Sequence, residues 1–316
     1  MKEMTVISGK GGTGKTSIVA SFSALAKNKV LADCDVDAAD LHLVVGARIR
    51  HREPFRGGKK ARIIPERCNG CGECHRLCRF GAVDPLVGAG GNKENIFVID
   101  PIACEGCGVC AHFCPVEAIE FKDVVNGEWF ISDTRHGPMV HAKLGIAEGN
   151  SGKLVSVVRS QARGIALKQG LDIVLIDGPP GIGCPVIASV TGTDLVLAVT
   201  EPTLSALHDL ERVRQLANHF NIKTVACVNK CDLNPQMTLH IEEHCREAGV
   251  EVVGRIPYDR AVTDAQIRQT SVVEYSDGLI SKEIVRMWEH IAHLLGLRAS
   301  QAAHIVEATR TPNSGR

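Results

Sequence analysis

The stretch SGKGGTGKTS, residues 8–17, constrains this chain more than any other. It follows a short apolar run, MTVIS at 4–8, and leads into helical apolar spacing from Thr16 to Ala26, which reads as strand, loop, helix. Gly9, Gly11, Gly12 and Gly14 let backbone N–H groups converge on an anion at the start of that helix. The segment satisfies G-x-x-x-x-G-K-[ST]. In such a loop Lys15 reaches the β- and γ-phosphates of a nucleotide and Thr16 holds Mg²⁺, with Thr13 and Ser17 completing the cradle.

The rest of the chain supplies a sheet for this loop. Val30–Ala32 runs into Asp33, and LDIVLIDGPP (171–180), TDLVLAVTEP (193–202) and KTVACVNK (223–230) are β-branched runs, each followed by a helical pattern. Apolar runs of this kind belong to strands buried on both faces, so the expected fold class is α/β, a doubly wound, mostly parallel sheet. Between Gly46 and the downstream strands the pattern breaks. Residues 48–62 are Arg-rich, and the cysteines follow. The expected organisation is a discontinuous domain, 1–58 and 124–297, carrying an α+β insert at 59–123, with a polar tail at 298–316. A final helix is expected over Leu279–Leu297.

The insert contains an internal repeat. Cys68, Cys71, Cys74 and Cys78 recur as Cys104, Cys107, Cys110 and Cys114, each displaced by 36 residues, with Pro65 and Pro101 in register. Zinc knuckles use two pairs of ligands, whereas each quartet here is three plus one. Both read C-x-x-C-x-x-C-x-x-x-C, and the region resembles a two-cluster bacterial ferredoxin. That resemblance implies two [4Fe-4S] clusters, one on Cys68, Cys71, Cys74 and Cys114, the second on Cys104, Cys107, Cys110 and Cys78. Pro115 follows the second quartet as in that family, whereas Arg79 follows the first.

The form GKGGxGKT, with its additional Lys10, resembles the deviant Walker A loop of the superfamily containing MinD, ParA, Mrp and the nitrogenase iron protein. That resemblance implies an ATPase in which Lys10 reaches across a dimer interface to the partner's nucleotide, alongside Lys15. It also implies that Asp35 orients the attacking water and Asp33 supports Mg²⁺ or Lys15. Asp177, ending the strand in VLIDGPPG, stands at a Walker B position for Mg²⁺, and Gly178–Gly183 resembles a switch segment. Asn229, with Pro257 and Asp259 of PYD, resembles the family's adenine contacts. NKCD (229–232) equally fits the N-K-x-D pattern that reads guanine; the loop favours ATP. Cys184 lies where the iron protein has one cluster cysteine, but no cysteine stands near 150–152, so that shared cluster is not expected. His136, His141 and Lys153 receive no role.

Thirty-six basic residues balance 36 acidic ones, so no global field attracts nucleic acid. No apolar run reaches the roughly 20 residues that span a bilayer, the polar face of the last helix has no basic excess, and the N-terminus lacks a leader pattern. A cytoplasmic protein without membrane or nucleic-acid partners is expected. The functional expectation is a Mg²⁺-dependent ATPase coupling ATP-driven pairing, as a homodimer or a heterodimer with a related ATPase, to electron transfer or docking with a redox or metallocofactor partner. The alternatives are an iron-sulfur assembly or carrier ATPase of the Mrp kind and a positioning ATPase of the MinD and ParA kind.

Overall fold

The structure is a computed structural model that describes residues 1–86, 96–145 and 148–297, so the expected tail at 298–316 lies outside the described residues. The chain divides into two compact units. One comprises Met1–Arg52, Trp129–Lys143 and the chain from Ser151 onward; the other comprises Glu53–Glu128 and Leu144–Asn150. The second unit is thus wider than the 59–123 read from the sequence. Asn126 and Glu148 explain the difference: the Asn126 side-chain oxygen accepts from the Gly57 and Gly58 amides at 3.1 and 2.9 Å, and Glu148 accepts from Lys60 at 2.8 Å.

In chain order the strands are β1 (Lys2–Ser8), β2 (Lys29–Asp33), β3 (Arg48–Phe55), β4 (Gly58–Ile63), β5 (Val83–Pro85), β6 (Phe97–Ile99), β7 (Ile119–Val124), β8 (Gly127–Thr134), β9 (Gly137–Leu144), β10 (Ile173–Pro180), β11 (Leu195–Thr200), β12 (Lys223–Asn229) and β13 (Glu251–Ile256). The helices are α1 (Lys15–Leu25), α2 (Leu41–Val44), α3 (Glu73–Leu77), α4 (Val109–His112), α5 (Ser151–Gln169), α6 (Cys184–Val190), α7 (Leu204–His219), α8 (Pro235–Glu247), α9 (Ala261–Ile267), α10 (Val272–Tyr275) and α11 (Leu279–Leu294).

Among the described residues one sheet has nine strands in the order β13-β12-β11-β1-β10-β2-β9-β8-β3. The pairs from β13 to β9 are parallel. All six residues of β11 are buried, and their alternation serves two cores: Leu195, Leu197 and Val199 join one, Val196 and Ala198 the other. The first core also takes Phe22 of α1 and the apolar face of α11, with Ile280, Ile284, Met287, Trp288 and Ile291 at most 2% exposed. The apolar face of this helix, whose polar side has no basic excess, is thus taken up by packing on the domain.

Three strands were not legible as strands. Seven of the eight residues of β3, RIRHREPF, are exposed, and a charged, proline-bearing edge strand carries no apolar alternation. β8 and β9 are joined by Arg135 and His136 alone, a connection that only an antiparallel pair permits. β9 then pairs in parallel with β2, setting His141 opposite Asp33.

The second unit realises the repeat in its backbone. Gly70 and Gly106, Gly72 and Gly108, and Gly81 and Glu117 all adopt positive φ and all stand 36 residues apart. Gly72 and Gly108 cap α3 and α4, and the Ala82 and Ala118 amides donate to the Cys78 and Cys114 thiol sulfurs at 3.4 and 3.2 Å. β4 pairs antiparallel with β7, and β5 with β6. The apolar core is small: Ala61, Ile63, Val83 and Ile99 are its buried members, and Cys68, Cys74, Cys78, Cys104 and Cys110 pack against them.

His141, left without a role by the sequence, is 4% exposed between the rings of His42 and Phe130, with Nε2 2.9 Å from the Ser132 hydroxyl. Burial, followed by the charge of His42, lowers its pKa from 6.5 to about 4. The unfolded chain therefore binds the proton more tightly, so this stability is present above pH 6.5 and is lost as pH falls toward 4. His141→Gln is expected to flatten the melting-temperature profile in that window, removing on the order of 2 kcal/mol of pH dependence. Parallel profiles for variant and wild type would contradict this.

Candidate functional site

The nucleotide loop is built by the sheet on which it stands. β1, β10 and β2 are in parallel register, so Val6 pairs with Asp177 and Asp177 with Asp33, bringing the loop and two carboxylates to the same end of the sheet. Residues 9–14 cross from β1 to α1, where a β-carbon is excluded for two different reasons. At Gly14 φ is +92°, and the added atom would lie 2.4 Å from the Asn229 side-chain nitrogen; at Gly9 it would lie 2.1 Å from Cβ of Asp209 in α7. Asn229 donates to the Thr13 carbonyl at 2.8 Å, fastening the loop to the end of β12.

Beside the loop lies a cavity of about 720 Å³, of nucleotide size. Gly11, Gly12, Gly14, Lys15, Thr16 and Ser17 line one wall; Asn229, Lys230, Pro257, Tyr258 and Asp259 line another. Asp35 also faces it, with Asp37 and Asp40. Burial raises the Asp35 pKa, with Lys15 acting against the rise.

The expected magnesium residues stand at different depths. Thr16 lines the cavity and acts on the neighbouring Asp177 carboxylate. Asp177 is 1% exposed, and its Oδ1 is buried without a hydrogen-bond partner. Burial drives its pKa up to about 7, Lys15 and Thr16 opposing. A buried carboxylate with an unspent oxygen next to Thr16 is chemically suited to a magnesium ion with its water shell. Asp33 lies deeper: its oxygens accept from the Asp35 and Leu41 amides, each at 3.2 Å, so it shapes the 34–41 segment. Burial and the neighbouring Asp177 raise its pKa.

Of the residues named for the base, Asn229, Pro257 and Asp259 line the cavity together. Asp232 is absent from its lining and accepts from the Tyr258 amide at 2.6 Å. One oxygen of the fourth residue of the guanine-reading pattern thus braces the segment that follows β13. Sequence reasoning passed over Gln266 of α9, which lines the cavity and donates to the Ser17 hydroxyl at 2.9 Å. No motif marks it. Lys10 is paired with Glu201 at 2.5 Å, and Glu201, just past β11, was also overlooked.

In the second unit Cys68, Cys71, Cys74 and Cys114 line one cavity with Ile63, Phe97 and Ala118. Three come from the first repeat and one from the second. Cys104 and Cys107 act electrostatically on Cys110, whose pKa burial raises to about 11. All eight thiols are free. Among the described residues no three His, Cys, Asp or Glu side chains gather closely enough for a single metal ion.

The profile of the CobQ/CobB/MinD/ParA nucleotide-binding domain matches residues 4–272. The chain belongs to that family. An uncharacterised Methanocaldococcus jannaschii protein is 34% identical over 244 residues, covering 73% of this chain and 79% of its own length. The cell division ATPase MinD of Pyrococcus furiosus superposes with a TM-score of 0.55 at 19% identity, over 93% of this chain and 99% of that one. MinD from Pyrococcus horikoshii, solved with Mg-ADP, gives 0.54 at 16%, over 93% and 97%. The likenesses to the two solved structures establish the fold. The mostly parallel sheet described above is the fold of this family.

The paired burial of Asp33 and Asp177 costs stability that Lys15 offsets only in part and that a bound cation would relieve further. Asp177→Asn is expected to raise the stability of the nucleotide-free protein by about 1–2 kcal/mol. The same change should abolish the additional thermal shift that Mg²⁺ gives over nucleotide alone. A variant that keeps the magnesium-dependent shift would remove Asp177 from the metal site.

Proposed function

We propose that the protein is a Mg²⁺-dependent ATPase carrying two resident [4Fe-4S] clusters, in which ATP-driven pairing of two P-loop units controls docking with a redox partner. The observation that carries the iron-sulfur part is the set of four thiols, drawn from both repeats, that line one cavity in the second unit. A unit of roughly 80 residues whose central core has four buried apolar side chains needs a further staple. Cys68, Cys71, Cys74 and Cys114 would hold one cluster, and Cys104, Cys107, Cys110 and Cys78 the other, within the insert at 59–123. Bound there, they supply one-electron transfer.

The chain's own residues perform the nucleotide chemistry. Lys15 neutralises the β- and γ-phosphates, while Thr16 and Asp177 hold Mg²⁺, backed by Asp33. Asp35, on the cavity wall, orients the attacking water. Asn229, Pro257 and Asp259 take the adenine, a choice over guanine supported by the turn that engages Asp232. Lys10 acts on the nucleotide of a second copy, or of a related ATPase. No covalent intermediate is involved, and catalysis rests on positioning and charge neutralisation.

The carrier reading, in which clusters leave as cargo, fits this core less well, because departure would remove what the thiols of the second unit pack around. A positioning role of the MinD and ParA kind fits the family as well; the apolar face of α11 itself is buried in the first core.

Anaerobically purified protein is expected to contain about eight iron and eight sulfide per chain. Cys114→Ser should lower both by about half and abolish the electron paramagnetic resonance signal of the cluster assigned to Cys68, Cys71 and Cys74. Cys78→Ser should spare that signal and remove the other. Zinc in place of iron and sulfide, or signals lost in the uncrossed pattern, would overturn the assignment.

A further inference from the structure

Glu201 follows β11 with its carboxylate between two lysines. Lys10 pairs with its Oε1 at 2.5 Å and Lys230 with its Oε2 at 3.4 Å. Lys230 in turn donates to the Gly12 carbonyl at 3.1 Å, and the Ser8 hydroxyl donates to the Lys10 carbonyl at 2.6 Å. The Glu201 side chain is 16% exposed, while that of Lys10 is 38% exposed. Burial pushes the Glu201 carboxyl up, but the Lys10 hydrogen bond and the charges of both lysines outweigh it, and its pKa lies below the usual carboxylate range. The group is anionic at neutral pH.

The surroundings make this carboxylate unusual. It lies beside a loop built to collect N–H groups and lysines around phosphates, and an uncompensated negative charge there opposes anion binding. Two lysines compensate it. One, Lys230, also lines the nucleotide cavity; the other, Lys10, is outside its lining. Lys10 therefore cannot serve a phosphate while it serves Glu201.

We infer that Glu201 is a positioning residue that holds Lys10 against its own subunit until a nucleotide-loaded second copy offers a stronger anion, setting a threshold for dimerisation. The inference rests on the reading above that Lys10 acts in trans. Pairing replaces the Lys10–Glu201 contact by Lys10–phosphate contacts, and Lys230 remains to compensate Glu201. Because a symmetric dimer releases two such lysines, the threshold enters the dimer equilibrium twice. Pairing then stays dependent on triphosphate at protein concentrations where weaker anions would otherwise suffice.

The test is sedimentation velocity with Mg²⁺ and a non-hydrolysable ATP analogue, comparing wild type, Glu201→Gln, Lys10→Ala and the double variant. Melting temperature and nucleotide affinity under monomeric conditions report folding and loop integrity. A partly exposed ion pair suppresses its alternatives by roughly fivefold, so Glu201→Gln is expected to tighten the dimer constant by about 25-fold. In the Lys10→Ala background it should change nothing. Should Glu201→Gln fold poorly, Glu201→Asp withdraws the carboxylate from Lys10 while keeping the charge, and tightening in the same direction is expected. A dimer no tighter than wild type in the folded variant overturns the inference while leaving the trans role of Lys10 intact. Analogue-driven dimerisation that survives Lys10→Ala instead removes that role, and the inference with it.

Discussion

The parallel register of β1, β10 and β2 is the constraint from which the P-loop unit follows. Hydrogen bonding aligns Val6 with Asp177 and Asp177 with Asp33, so the glycine loop leaves the sheet on the side where Asp33 ends β2, while Asp177, read from the sequence as a strand end, lies within β10, which runs on to Pro180. Parallel strands need crossovers, and those crossovers supply the helices that bury both faces. Order in the sheet changes direction around β1, with β10 and β2 on one side and β11 to β13 on the other, and a ligand crevice opens at such a switch point. The two buried aspartates destabilise the free protein, yet the strand pairing leaves them nowhere else to go. Packing above and below the sheet, including Trp288 against Phe22 at 5.1 Å, holds them there.

The second unit obeys the opposite logic. Its sheets are two-stranded pairs and its helices, Glu73–Leu77 and Val109–His112, are too short to bury a hydrophobic stripe. Cysteine occupies the positions where a larger domain would place leucine. Five of the eight repeat cysteines pack on the core, and Cys71 and Cys107 are exposed. Thiols held this way are poor acids when free: burial raises Cys74 and Cys110. A cation that binds thiolates reverses that cost, which couples occupancy to folding.

Much of this was readable in the residues because the chemistry requires local patterns. The loop, the central strands and the 36-residue cysteine displacement are each set by neighbours in sequence, and strands buried on both faces announce themselves as apolar runs. What escaped was non-local. β3 is a strand because β8 stands beside it, and its own composition argues for a loop. Gln266 and Glu201 gain meaning from Ser17 and Lys10, residues nearly 200 or more positions away. NKCD is non-local in the same way: the Tyr258 amide that donates to Asp232 lies 26 residues further on, and nothing within the four residues encodes that contact.

β9 pairs with β2 at the level of Asp33 and His141, and three residues later, at Leu144, the chain enters the second unit. A strand hydrogen-bonded to a neighbour at that point cannot ignore a displacement of the neighbour's end, because register in a sheet moves by whole residues. Asp33 holds the amides of Asp35 and Leu41, so any rearrangement of 34–41 around a triphosphate bears on the end of β2. Within the second unit Glu148 accepts from Lys60 and Asn126. Those two residues fasten the start of β4, which leads directly to Cys68.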